Sequence, residues 1–113
     1  MIIIGITGSV GSGKSETCKF FKERNIPVFD SDLEVRLLYQ KPGVLGQIEN
    51  QFPDAFKNKL LFKDILTSIV FKNPEKLRLL ENIIYKKLRF ISHKWIRQQI
   101  RKRKKIVVMD VPL

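Results

Sequence analysis

The sequence predicts an α/β fold, a parallel sheet with helices on both faces. Two runs of apolar and β-branched residues, Ile2-Ile3-Ile4-Gly5-Ile6-Thr7 and Ile106-Val107-Val108-Met109, are continuous rather than alternating. That is the pattern of a strand covered on both faces. A glycine-rich stretch follows the first run at once. Helical periodicity fills most of the chain between the runs, and strands alternating with helices imply parallel pairing with right-handed crossovers.

Taken in order, residues 2–7 form the first strand. Ser15 to Arg24 reads as a helix with Cys18, Phe20 and Phe21 on its apolar side; Asn25 stops it and Pro27 blocks continuation. Ile26-Pro27-Val28-Phe29 is a short second strand, after which Asp30 or Ser31 can cap a helix reaching about Tyr39. Lys41-Pro42-Gly43 is a turn. Val44 to Gln51 and Phe62 to Phe71 read as short helices joined through Pro53 and Asn58. Asn73-Pro74 is a cap followed by proline at the first helical position. From there Leu77, Leu80, Ile84, Leu88, Ile91 and Trp95 recur three or four apart as one helical face, extending toward Arg103 as one helix or two in series. The third strand, residues 106–109, ends at Asp110.

The length, 113 residues, fits one domain, and 43% apolar residues with eight Phe and one Trp can supply a core. Met1 to Ile6 is too short for a secretory leader and lacks a cleavage site, and no run approaches the roughly 18 apolar residues of a membrane span. Cys18 is the only cysteine, so no internal disulfide forms and a cytoplasmic location is expected. Twenty-two Lys and Arg against eleven Asp and Glu give +11, a balance that attracts nucleic acid, an anionic membrane surface or a phosphate-rich substrate. The densest stretch, Arg97 and Arg101 to Lys105, reads as a solvated helix end whose cations suit the helix dipole. It has no interleaved aromatics and no nucleic-acid recognition module accompanies it.

The glycine-rich stretch, Gly8-Ser9-Val10-Gly11-Ser12-Gly13-Lys14-Ser15, matches G-x-x-x-x-G-K-[ST] in full, the pattern of a phosphate-binding P-loop. Gly8, Gly11 and Gly13 permit dihedrals that a side chain forbids. The amides of Gly11, Ser12, Gly13, Lys14, Ser15 and Glu16 can then face phosphate oxygens at the positive end of the following helix. Lys14 is placed for the β- and γ-phosphates and the Ser15 hydroxyl for Mg²⁺, so ATP and Mg²⁺ are the expected cofactors. Asp30, Asp32 and Asp110 end the second and third strands at the sheet edge where ligands bind in open α/β sheets. One of these carboxylates can accept a proton from an attacking hydroxyl and another can hold magnesium through water.

Gly5 to Ser15 (GITGSVGSGKS), Ile26 to Asp32 (IPVFDSD) with Arg36 four residues on, and Met109 to Leu113 (MDVPL) together resemble the dephospho-coenzyme A kinase family. That family reads T-G-G-I-G-S-G-K-S-T, V-x-D-A-D-x-x-A-R and D-x-P-L-L-F-E in the same order, and the resemblance covers the whole chain. It implies transfer of the γ-phosphoryl of ATP to the ribose 3′-hydroxyl of dephospho-coenzyme A, the last step of coenzyme A synthesis. By position, Asp32 resembles the family's base, with Asp30 beside it. Lys14 serves catalysis as well as binding, Arg36 and Asp110 lie where substrate is contacted, and Ser15 and Asp110 resemble the metal-holding positions.

The resemblance also implies a P-loop-type sheet in the order second, third, first strand. Residues 1–43 and 104–113 would form the nucleotide-binding core, and 44–103 a helical region that resembles the family's coenzyme-A-binding insertion. It implies that the later strands, the lid and the adenine pocket lie beyond Leu113, so that this chain alone is weakly active or inactive. A complementary C-terminal fragment, or self-association through an exposed first strand, is then the expected partner. Three changes depart from the family pattern: Glu16 replaces Thr or Ser, Ser9 replaces a glycine, and Tyr85-Lys86 replaces His-Pro, which lets the long helix run on.

Overall fold

The computed structural model describes residues 1–8 and 13–110. Gly11 and Ser12 of the expected phosphate loop, and the last three residues of the MDVPL stretch, lie outside the described residues. The elements run β1 (Ile2–Ile6), α1 (Lys14–Glu23), β2 (Val28–Phe29), α2 (Ser31–Leu38), α3 (Pro42–Gln51), a 3₁₀ turn (Pro53–Ala55), β3 (Phe56–Lys57), β4 (Leu60–Leu61), α4 (Lys63–Phe71), α5 (Pro74–Arg101) and β5 (Ile106–Asp110). They belong to two compact units, one of residues 1–34 and 88–113, the other of residues 35–87.

The first unit holds a parallel three-stranded sheet in the order β1-β5-β2. Read from β2, that is the order expected of the sequence. The register pairs Ile2 with Ile106 and Ile6 with Asp110 on one side of β5, and Val28 with Val108 on the other. Val107 and Val108 are consecutive and both fully buried. Successive residues of a strand face opposite sides, so β5 is covered on both faces. β1 is not: Ile2 is 61% exposed and Ile3 48%. Its apolar run reads like a central strand, but it has one strand partner among the described residues. An edge position leaves such side chains without neighbours on one flank.

Helix α1 packs on β2 and β5. Cys18 and Phe21, three residues apart, are half-buried. Phe20 is not on that face as the sequence suggested. It stands two positions from Cys18, about 200° around the helix, and is exposed with the Arg24 guanidinium 3.5 Å above its ring. Asn25 ends α1 as expected, in the left-handed region (φ 58°), with the Ile26 amide bonded back to the Phe21 carbonyl. Pro27 donates nothing, but its carbonyl accepts from the Val108 amide and so helps dock β2 on β5.

In the second unit Val44, Ile48, Phe52, Ala55, Leu66, Val70, Leu80 and Ile84 are buried. Helix α3 starts at Pro42 rather than Val44, because proline's fixed φ and missing N–H suit a first helical position. The sequence reading passed over the β3–β4 hairpin. Asn58 and Lys59 both have positive φ (52° and 64°), the requirement of a type I′ turn, but without the glycine that usually signals one.

α5 is one helix of 28 residues and runs unbroken through Tyr85-Lys86. Asn73 caps it, its Oδ1 accepting from the Glu75 and Lys76 amides. On the anticipated face Leu80, Ile84 and Leu88 are buried and Ile91 and Trp95 half-buried, while Leu77 is exposed on the first turn. At the other end Arg103 is left-handed (φ 58°), with its amide on the Ile100 carbonyl and the Lys104 amide on the Gln99 carbonyl. This is a Schellman ending built on a residue with a Cβ. Arg103→Gly is therefore expected to raise stability by about 0.5–1 kcal/mol in urea unfolding, because glycine carries no penalty for that backbone.

Candidate functional site

The site grows from the C-terminal edge of the sheet. β1, β5 and β2 are parallel, so Ile6, Asp110 and Phe29 end at the same edge, and the residues the sequence singled out lie at or just past these ends. Beyond β1 the chain passes Gly8, at φ 151°, and re-emerges at Gly13, at φ 87°. Both backbones favour glycine, which is the reason two of the three loop glycines were expected. Gly13 caps α1 without a side-chain bond, and the Thr17 amide is the first to return into the helix, to the Gly13 carbonyl. The amides of Lys14, Ser15 and Glu16 are thus free of the helix's own ladder and lie at its positive end. Ser15 and Glu16 are exposed there.

Lys14 does not point into solvent. Its side chain is 11% exposed, and its ammonium pairs with Asp110 Oδ1 and lies 3.9 Å from Asp32 Oδ2. Asp110 is 4% exposed, and among the described residues that ammonium is the only partner of Oδ1. The hydrogen bond that the Lys14 ammonium donates to Asp110 is the main cause that holds the Lys14 pKa above its usual value, against the desolvation that lowers it; the charges of Asp110 and Asp32 add to the rise.

Asp30 caps α2: its Oδ1 accepts from the Leu33 amide at 3.1 Å. Asp32, the second residue of the helix, is exposed, and its carboxylate caps nothing among the described residues. Ser31 between them is buried, and its hydroxyl donates to the backbone carbonyl of Asp110. The bond ties the start of α2 to the end of β5. Asp30, Asp32 and Asp110 each bring a carboxylate oxygen to within 4.8 Å of the others. Hard oxygen donors in such a group suit a divalent cation of the magnesium type.

The structure therefore brings together Lys14, Asp30, Asp32 and Asp110 from the predicted residues. Arg36 is exposed on the last turn of α2, in the second unit. Ser31 was weighed in the sequence only as an alternative cap. Its partner lies 79 residues away, and no local pattern signals such a bond.

Cys18 is half-buried near this group. Burial pushes its thiol pKa up, and the carboxylates of Asp110 and Asp30 push the same way. Alkylation by iodoacetamide at pH 8 is expected to run several-fold slower than that of N-acetylcysteine. A rate equal to the free thiol's would contradict the packing described.

With this geometry in view, comparison with known proteins is informative. The dephospho-CoA kinase family profile matches residues 2–113. The dephospho-CoA kinase of Bartonella quintana is 39% identical over all 113 residues, which span 58% of that protein. That of Rhodopseudomonas palustris is 33% identical over the same residues, 56% of its length. The chain thus spans a little more than half the length of the curated relatives it matches. Among solved structures, the TT1252 protein of Thermus thermophilus superposes with a TM-score of 0.81 at 29% identity, over 98% of this chain and 56% of that one. The dephospho-CoA kinase of Campylobacter jejuni superposes with a TM-score of 0.78 at 21% identity, over 97% of this chain and 56% of the other, a likeness of fold.

Proposed function

The chain belongs to the dephospho-CoA kinase family, and on that footing we propose that it supplies the phosphate-binding and base-bearing part of an enzyme that moves the γ-phosphoryl group of ATP to the ribose 3′-hydroxyl of dephospho-coenzyme A. One observation carries the proposal: an ammonium and three carboxylates meet at the common end of three parallel strands, beside the free amides of a helix N-terminus.

In this reading the amides of residues 13–16, with Gly8, Gly11 and Ser12 in the loop, cradle the triphosphate. Lys14 neutralises its β- and γ-oxygens. Asp32 is the base rather than Asp30, because one oxygen of Asp30 is committed to capping α2 while Asp32 is exposed and uncommitted to any cap. The acceptor's 3′-oxygen attacks the γ-phosphorus, its proton passes to Asp32, and ADP leaves. The carboxylate group and Ser15 fit Mg²⁺, which supplies charge neutralisation at the phosphates when bound. Arg36 would meet an acceptor phosphate, and residues 44–103 would receive the coenzyme A portion.

We assign to the exposed edge of β1 either a complementary C-terminal fragment or a second copy of this chain. No helix among the described residues is long and apolar enough to cross a membrane.

The test is direct. The chain alone should bind ATP with magnesium in calorimetry, and Lys14→Ala should weaken that binding by more than about tenfold, the loss expected of a charge-assisted phosphate contact. Coupled ADP release with dephospho-coenzyme A should be slow or absent for the chain alone. It should appear when the remaining C-terminal part of the Bartonella quintana relative is added as a separate polypeptide. ATP binding indifferent to Lys14→Ala would remove the reading.

A further inference from the structure

Lysines on phosphate loops are expected to await an anion, yet Lys14 is already engaged. Its ammonium pairs with Asp110 and lies 3.9 Å from Asp32, two of the three grouped carboxylates, with Asp110 Oδ1 buried and served by no other donor among the described residues. We infer that Lys14 is an internal counter-ion that occupies the divalent-cation position of the Asp30–Asp32–Asp110 group, so that a cation enters only as the ammonium leaves, and the ammonium so released is what becomes free for phosphate. The inference rests on the kinase reading of this site and adds a rule of loading to it.

The charges argue for exchange rather than co-occupancy. Once the ammonium has withdrawn, the three carboxylates carry three negative charges, and a divalent cation offsets two of them where the ammonium offset one. The same buried oxygen cannot serve both cations, because two positive charges within contact of one carboxylate repel strongly where water is excluded. The ammonium has a way out and Asp110 does not. Lys14 lies on the first turn of α1 with a four-carbon stem, whereas Asp110 is fixed by strand register opposite Ile6 and by the Ser31 hydroxyl on its carbonyl. Asp30 is held as the cap of α2, so the carboxylates stay where they are while the lysine moves. Unliganded protein is thereby spared a buried, unpaired carboxylate, and the cation and the triphosphate load as one coupled event.

The consequence runs against the usual effect of deleting a binding-site lysine. In the absence of any nucleotide, Lys14→Met should bind Mn²⁺ about tenfold or more tightly than the unsubstituted chain, because the competing cation is gone. Free Mn²⁺ is read by electron paramagnetic resonance. Lys14→Arg, which keeps a cation, should bind Mn²⁺ as weakly as the unsubstituted chain. Adding Asp110→Asn to Lys14→Met should abolish the gain. Should Lys14→Met fold poorly by circular dichroism, its recovery on adding Mn²⁺ but not Na⁺ reads the same exchange. Mn²⁺ binding to Lys14→Met that is equal to or weaker than that of the parent overturns the inference, as does a gain that survives Asp110→Asn. Neither ATP nor acceptor enters these measurements. ATP binding indifferent to Lys14→Ala, found together with the expected Mn²⁺ pattern, would therefore sink the kinase reading and leave the counter-ion standing.

Discussion

Lys14→Ala should destabilise the metal-free protein by about 2–3 kcal/mol, and Asp110→Ala by about 1 kcal/mol, although both break the same pair. The asymmetry comes from what each change leaves behind. Without Lys14, the Asp110 carboxylate remains 4% exposed with no donor among the described residues for Oδ1, and it cannot reach water from the end of a central strand. Without Asp110, the Lys14 ammonium still has Asp32 at 3.9 Å and a flexible stem that carries it to solvent. The value is set below the roughly 3–5 kcal/mol of a fully buried pair because Asp32, one of the partners, is exposed. Urea unfolding at pH 7 measures both. The double substitution should recover most of the loss of Lys14→Ala, since no orphaned charge remains.

The pH dependence follows with its sign. The pair raises the folded pKa of Lys14 above 10.5, so its contribution is fully present below that value and is lost as pH rises through the higher folded one. An equal cost for the two single substitutions would show that Asp110 has another route to solvation.

Phe29→Ala is expected to cost about 3–5 kcal/mol, the range for a large aromatic side chain removed from a packed core. Phe29 is 3% exposed, and its ring lies 5.4 Å from that of Trp95 at 58°. It is also the last residue of β2, paired with Met109, so it positions Asp30 and the start of α2. The substitution should therefore loosen the site as well as the core. Trp95 is the only tryptophan, and its fluorescence reports directly on the loss of the Phe29 ring. Phe29→Leu, which restores most of the volume, should cost about 1–1.5 kcal/mol. A red shift of Trp95 emission with unchanged urea midpoint would mean that the contact contributes packing without stability.

Much of this fold can be read from short-range chemistry. Asn73 before Pro74, Asn25 after α1 and Asp30 before α2 all act where their residue types predicted, because a cap is a contract between residues two to five apart. The glycines at 8 and 13 have the backbone that their motif demands. Where expectation failed, the neighbourhood was at fault rather than the residue type. Phe20 faces out because helical phase, not hydrophobicity, decides its side. Asn58-Lys59 forms a tight hairpin that the missing glycine concealed.

Alone, the amino-acid sequence determined the glycine-rich stretch at residues 8–15, the strand-forming character of residues 2–6 and 106–110, the starts of α2 and α5 and the set of acidic side chains available. It left open which of those acids Lys14 would find and that Ser31 would bond the Asp110 carbonyl. Those were decided by parallel register, which sets Asp110 opposite Ile6 and places β5 between its neighbours. Hydrogen-bonded register is a cooperative property of strands distant in the chain, and charge pairing across it depends on burial that no local pattern encodes.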